Sequence, residues 1–109
     1  MSTGTDRIRL LNDELRQHLY SGGAVMTPGI AALGDAAVNR IVNAIASFHD
    51  FSADNDPWGE HDFGTLQFEG HFVVFKIDYY ALDGESHSPD PSDPGVTERV
   101  ITIMLAEEY

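Results

Sequence analysis

Residues 65–80 read TLQFEGHFVVFKIDYY, and how they pair decides the fold. Two runs rich in aromatic and β-branched residues flank Glu69-Gly70, a dipeptide suited to a tight turn, so the stretch predicts a β-hairpin. Along the second run Val73, Phe75, Ile77 and Tyr79 share one face, while Phe72, Val74, Lys76, Asp78 and Tyr80 share the other. The first face should pack on helices. The second ends in Lys76, Asp78 and Tyr80 and should meet solvent or a site. On that face Phe72, Val74 and Tyr80 call for a covering layer or a partner surface, for which a homodimer is one form.

Upstream lie the helices that this sheet needs. Over residues 5–19, Ile8, Leu11, Leu15 and Leu19 recur at spacings of three and four, with Thr5 placed as N-cap. Ser21-Gly22-Gly23 should end that helix, and AVM at 24–26 is a short strand candidate before a Thr27-Pro28-Gly29 turn. A second helix is predicted over 35–48, where Val38, Ile41, Val42, Ile45 and Phe48 form one stripe. The tail VTERVITIMLAEEY carries an unbroken β-branched run from Val100 to Ile103, which favours a strand over 99–106 above a helix opened by Pro94. The expectation is an α+β fold: two helices on one face of a small antiparallel sheet of three to four strands. A chain of 109 residues fits one such domain, spanning 1–109.

Two segments lack periodicity. Residues 50–59, within FHDFSADNDPWG, gather turn formers, and residues 81–95, ALDGESHSPDPSDPG, hold three prolines and almost no apolar side chain. Both should be loops, and both are acidic. Six Lys and Arg stand against eighteen Asp and Glu, a net charge of −12. Residues 1–49 are balanced, with Arg7, Arg9, Arg16 and Arg40 against Asp6, Asp13, Glu14 and Asp35. The whole excess lies in residues 50–109, where Lys76 and Arg99 face fourteen acids. Such a field repels nucleic acid and anionic membranes and attracts basic protein surfaces or cations.

The absence of cysteine excludes disulfides, thiolate catalysis and sulfur-built zinc sites. Neither a signal-peptide pattern at the start nor an apolar run of spanning length is present, so a cytoplasmic location is expected.

Taken together, RIRLLNDELR, the TPGI turn, NDPWGEHDFG, KIDYY, SPDPSDP and TIMLAEEY resemble a family of small bacterial proteins known only as a domain of unknown function. The resemblance spans nearly the whole chain. It implies carriage on plasmids and other mobile elements, near replication, partition and antirestriction genes. It implies no activity, cofactor or catalytic residue.

The densest chemistry sits in DNDPWGEHDFG, residues 54–64. As a calcium loop it places Asp54, Asp56 and Gly59 correctly, but Trp58 has no oxygen for position 5 and Thr65 stands where position 12 needs Glu. Glu60, His61 and Asp62 offer a metal or acid–base alternative, with Asp78 or His87 as the converging partner. In an extended chain, however, His61 points away from both carboxylates. A purely structural reading gives Asp54 and Asp56 Asx-type bonds, makes 56–59 a type I turn and seats Trp58 on the core. No nucleophile elbow or phosphate loop is present, no cofactor is expected, and the chain reads as non-enzymatic.

The remaining reading is an interaction surface. Asp54, Asp56, Trp58, Glu60 and Asp62, together with loop acids Asp83, Glu85, Asp90 and Asp93, would face a basic partner protein. Carboxylates two apart on a strand lie about 6.7 Å from one another, close to two base-pair steps of about 3.4 Å in duplex DNA. That spacing makes a DNA-binding nuclease the partner class to consider, with the metal-assisted hydrolase built on Glu60, His61, Asp62 and Asp78 as the alternative.

Overall fold

The computed structural model describes residues 4–19 and 23–109. In chain order the elements are α1 (Gly4–His18), β1 (Gly23–Met26), α2 (Pro28–Ala31), α3 (Asp35–Ala46), β2 (Phe63–Phe68), β3 (His71–Tyr80), β4 (Glu98–Leu105) and a closing 3-10 turn (Ala106–Glu108). The four strands form one sheet in the order β1-β4-β3-β2. The predicted hairpin is present, with Phe68 opposite His71. Its turn residues Glu69 and Gly70 have φ of 48° and 87°, the mirror-image turn that matches strand twist.

The tail is the predicted strand, antiparallel to β3 with Phe75 opposite Ile103. The sheet is mixed, not purely antiparallel, because β1 runs parallel to β4, pairing Ala24 with Ile101. Two helices and a hairpin separate these strands in sequence, so no tight turn dictates their direction, and AVM alone carries no orientation.

The apolar face of β3 packs as expected. Val73, Phe75 and Ile77 meet Leu15 of α1, Ile41 and Ile45 of α3, and Ile101 and Ile103 of β4 in a closed core. Phe48 and Phe51 extend it, their rings edge-on at 4.9 Å, with Phe48 at 5.3 Å from Phe75. Gly64 makes this possible: a Cβ there would lie 2.5 Å from the Phe75 ring and 2.8 Å from Phe48. Burying each such aromatic side chain is worth about 2–3 kcal/mol of apolar transfer.

Several local expectations change. Thr5 lies inside α1, which begins at Gly4, so it is not the N-cap. Ser21 and Gly22, the proposed helix stop, fall outside the described residues, and Gly23 opens β1. Thr27-Pro28-Gly29 is the entry to α2, with Pro28 in the first helical turn, where its missing N–H leaves no intrahelical bond unmade. The Glu108 carboxylate covers that entry, accepting from Thr27 Oγ1 at 2.6 Å and Gly29 N at 3.1 Å. Helix α3 stops at Ala46, not Phe48, because Arg16 takes the carbonyls of Ile45, Ala46 and Phe48 at 2.8–3.1 Å. On the outer face of β3 Phe72 is exposed, whereas Val74 is buried, as the covering-layer alternative expects. Val74 sits mid-sheet between Thr65 and Met104, and the C-terminal turn packs against β3.

Candidate functional site

On α1, Arg9, Asn12, Asp13 and Arg16 recur at spacings of three and four and so share one side of the helix. That side holds the loop 47–62. Arg9 Nη1 donates to the Gly59 carbonyl at 3.1 Å and Asn12 Nδ2 to the Glu60 carbonyl at 3.0 Å. Asp13 Oδ1 meets His61 Nδ1 at 2.8 Å. The His61 ring stacks on the Phe51 ring at 3.8 Å, and the Arg16 guanidinium lies 5.3 Å from the centre of the Phe51 ring.

A second set of bonds joins this loop to the sheet. Arg99, buried on β4, donates from Nε to Asn12 Oδ1 at 2.6 Å, and its Nη2 donates to the Pro91 carbonyl. Asn12 Nδ2 also donates to Tyr79 Oη at 2.7 Å, and Tyr79 donates to Glu60 Oε1 at 2.8 Å. Burial, with Glu60 beside it, pushes the Tyr79 hydroxyl well above the usual phenol range, so it stays neutral and donating. Burial likewise pulls the Arg99 guanidinium below its usual value, against the opposing pull of Tyr79 and Glu60. Asn12, Tyr79, Glu60 and Arg99 are thus joined in one connected network, a clamp, while the buried Arg16 Nε has no hydrogen-bond partner.

This geometry separates the residues of GEHD. His61 has φ of 56°, so the segment is not extended and its side chains do not alternate. Glu60 turns inward to Tyr79, His61 turns to Asp13 with Asp56 Oδ2 at 3.7 Å, and Asp62 faces the open side of the sheet near Asp78. Among the described residues no three His, Asp or Glu side chains are grouped to hold a metal ion.

The turn at 56–59 is present, with Gly59 N bonded to the Asp56 carbonyl at 3.1 Å. Asp56 is buried, and its Oδ1 accepts from the backbone of Glu60 and His61, both at 3.1 Å. The side chain that braces this stretch is that of Asn55, not Asp54: it accepts from Ser52 N at 2.8 Å and donates to the Asp50 carbonyl at 2.7 Å, reaching back along the chain in a way that is not an Asx-type turn. Trp58 is not seated on the core: it is 75% exposed. Of the nine acidic-surface candidates, Asp56 and Glu60 are therefore turned inward, while Asp54, Trp58 and Asp62 remain accessible.

Loop 81–95 is built differently. Asp83 accepts from the backbone of Glu85 and Ser86 at 2.8 and 2.9 Å and from Ser86 Oγ at 2.8 Å. Asp90 accepts from Ser92 N at 3.1 Å and Oγ at 2.6 Å, and Asp93 from Gly95 N at 2.8 Å. These bonds hold the Asp83 and Asp90 carboxyls below the usual carboxylate range, so both are firmly ionised. The loop is fastened beneath by a buried Ser88–Thr97 hydroxyl pair at 2.7 Å and by Ser88 N donating to Tyr79 O at 3.0 Å. Glu85 and His87 border an open groove with Asp62, Asp78 and Tyr80. Burial raises the Asp62 carboxyl, with the Glu60, Asp56 and Asp78 charges adding to the rise and a backbone bond opposing it.

The basic side chains are nearly all neutralised internally. Arg9 pairs with Asp6 at 2.7 Å, Arg16 with Asp13 at 3.0 Å, Arg40 with Glu69 at 3.1 Å and Lys76 with Asp78 at 3.1 Å. Arg99 is buried in the clamp, and the Arg7 charge lies close enough to lower Asp90. The residues missed from sequence are Asn12, Asp13, Arg16, Tyr79 and Arg99. A polar row at helical spacing beside the α1 stripe was the available signal, and it reads equally as a solvated face.

The family model described as "Protein of unknown function (DUF3768)" matches residues 26–108, and the chain belongs to that family. No curated protein and no solved structure matches the chain. The matched span contains Glu60, Tyr79 and Arg99 but not the α1 side of the clamp.

Proposed function

We propose that this DUF3768 member is a non-enzymatic, acidic binding protein whose second-half surface docks a basic partner protein. The partner class we infer is a DNA-binding nuclease of host restriction or CRISPR defence, inhibited by charge presented as duplex DNA presents it, in a chain carried by a mobile element. One observation carries the reading: Asp83, Asp90 and Asp93 are held at fixed positions by backbone and serine donors of their own loop, while Arg9, Arg16, Arg40 and Lys76 are paired with other acids and only Arg7 lies near enough to act on Asp90. Fixed charges lose little conformational entropy on docking, and an unneutralised acidic surface steers basic partners toward it. Asp54, Asp62 and Glu85 add charge, and exposed Trp58 supplies the kind of aromatic anchor that carries binding energy.

The test is competition. Tagged protein is used to capture proteins from a host lysate, and each captured species is challenged with duplex DNA. A basic DNA-binding protein that is displaced by DNA, and not captured by the Asp83→Asn, Glu85→Gln, Asp90→Asn, Asp93→Asn variant, supports the reading. Capture indifferent to both DNA and the variant contradicts it.

A further inference from the structure

Among the described residues strand β2 is an edge of the sheet, paired on one side only, with β3. Ile77 N donates to the Asp62 carbonyl at 2.8 Å, which fixes the phase of the ladder. Residues 64, 66 and 68 therefore bond β3, and the N–H and C=O groups of Phe63, Thr65 and Gln67 point to the open edge. Proteins usually protect such an edge with a charge, a proline or a bulge. Strand β2, FGTLQF, has neither charge nor proline, and its register with β3 runs unbroken from Phe63–Lys76 to Phe68–His71. In a chain of net charge −12, a charge-free edge of six residues is the place where a like-charged second copy can approach.

We propose that β2 pairs antiparallel with β2 of a second copy of this chain, about a two-fold axis through Thr65, joining two sheets into one of eight strands. This register alone lets all three outward-facing residues bond: Thr65 lies opposite Thr65, and Phe63 opposite Gln67. A Thr–Thr pair is a favourable cross-strand neighbour. On the helix side, half-buried Leu66 comes opposite Gly64 of the second copy, where the Phe75 and Phe48 rings occupy the space a side chain would fill. The nearest charges, Asp62 and Glu69, fall opposite Phe68 and His61, so no like charges meet. The other edge, β1, is four residues long and offers a shorter ladder.

This inference does not depend on the acidic binding role, and salt separates the two. Raising salt from about 0.1 M to about 1 M shortens the screening length from about 10 Å to about 3 Å, which strengthens pairing between two negative chains and weakens docking to a basic one. The experiment uses the lack of native cysteine. Thr65→Cys should oxidise to a disulfide-linked dimer, since directly opposed Cα atoms lie about 5.5 Å apart, within disulfide reach. Gln67→Cys should not, because four residues of register offset separate the two copies by about 14 Å. Sedimentation equilibrium should show a dimer that tightens with salt, and Thr65→Pro, which removes an edge N–H without touching β3, should be monomeric with unchanged circular dichroism. Equal crosslinking at both positions, or a wild-type monomer at all concentrations and salts, overturns the proposal. If Thr65→Pro does not fold, the cysteine pair decides.

Discussion

The two acidic loops differ in where their carboxylates go. Loop 47–62 turns two of its carboxylates inward: Asp56 caps its own backbone while buried and Glu60 accepts from Tyr79, while α1 holds the loop through Arg9, Asn12, Asp13 and Arg16 and Asp54 stays exposed. Loop 81–95 folds its charges outward, using aspartates to brace its own turns and fastening itself from below through Ser88, Thr97 and Arg99. Equal acidity in sequence thus hides two roles, a clamp in one loop and a presented surface in the other. Neutralising substitutions should accordingly affect stability at Asp56 and Glu60 of the first loop and binding in the second.

The largest effect expected is at Arg16. Arg16→Ala removes bonds to three carbonyls at the end of α3 and leaves Asp13 without its cation, and breaking a buried pair of this kind costs about 3–5 kcal/mol. Urea unfolding measures it, and a loss under about 1 kcal/mol would show that α1 does not hold this loop. Asn12→Ala should follow at about 2 kcal/mol, because it strands Arg99 Nε and the Glu60 carbonyl together. Gly64→Ala should cost about 1–3 kcal/mol by pressing on Phe75 and Phe48, with the near-ultraviolet signal of the aromatic rings changing alongside.

A smaller effect, opposite in sign, is expected at Asp62. Its folded carboxyl is raised by burial, so the native state binds the proton more readily than the unfolded chain does. Its contribution to stability therefore falls as pH rises from the unfolded value of 3.8 through the folded one. Asp62→Asn should raise the thermal midpoint at neutral pH, with the gain vanishing in acid below that window. Asp83 and Asp90 run the other way: their lowered carboxyls favour the fold above the ordinary carboxylate range, and this is lost as pH falls through their folded values. A thermal scan across pH that showed Asp62→Asn less stable at neutral pH would reverse the assignment.

Much of the fold was legible because periodicity reports burial. The Val73, Phe75, Ile77 alternation and the Val38 to Ile45 stripe each found the core, and Glu69-Gly70 marked its turn. The direction of β1 was not legible, since pairing between strands so far apart in sequence leaves no local trace. The clamp was hidden for another reason. Arg16 and Arg99 look like surface cations in sequence, and the carbonyls, Asp13 and Asn12 that surround them in space make their burial tolerable. Trp58 misled in the opposite direction, because an aromatic ring in a loop suggests an anchor, and here it projects into solvent.

The central claim, that loop 81–95 presents charge while loop 47–62 holds structure, is tested most directly by titrating a captured basic partner with wild-type protein and with the four-site carboxamide variant of Asp83, Glu85, Asp90 and Asp93, at low and high salt. The account predicts that the variant unfolds at the wild-type midpoint yet binds far more weakly, and that salt weakens the wild type toward the variant. Equal affinity of the two proteins at both salt concentrations would contradict it.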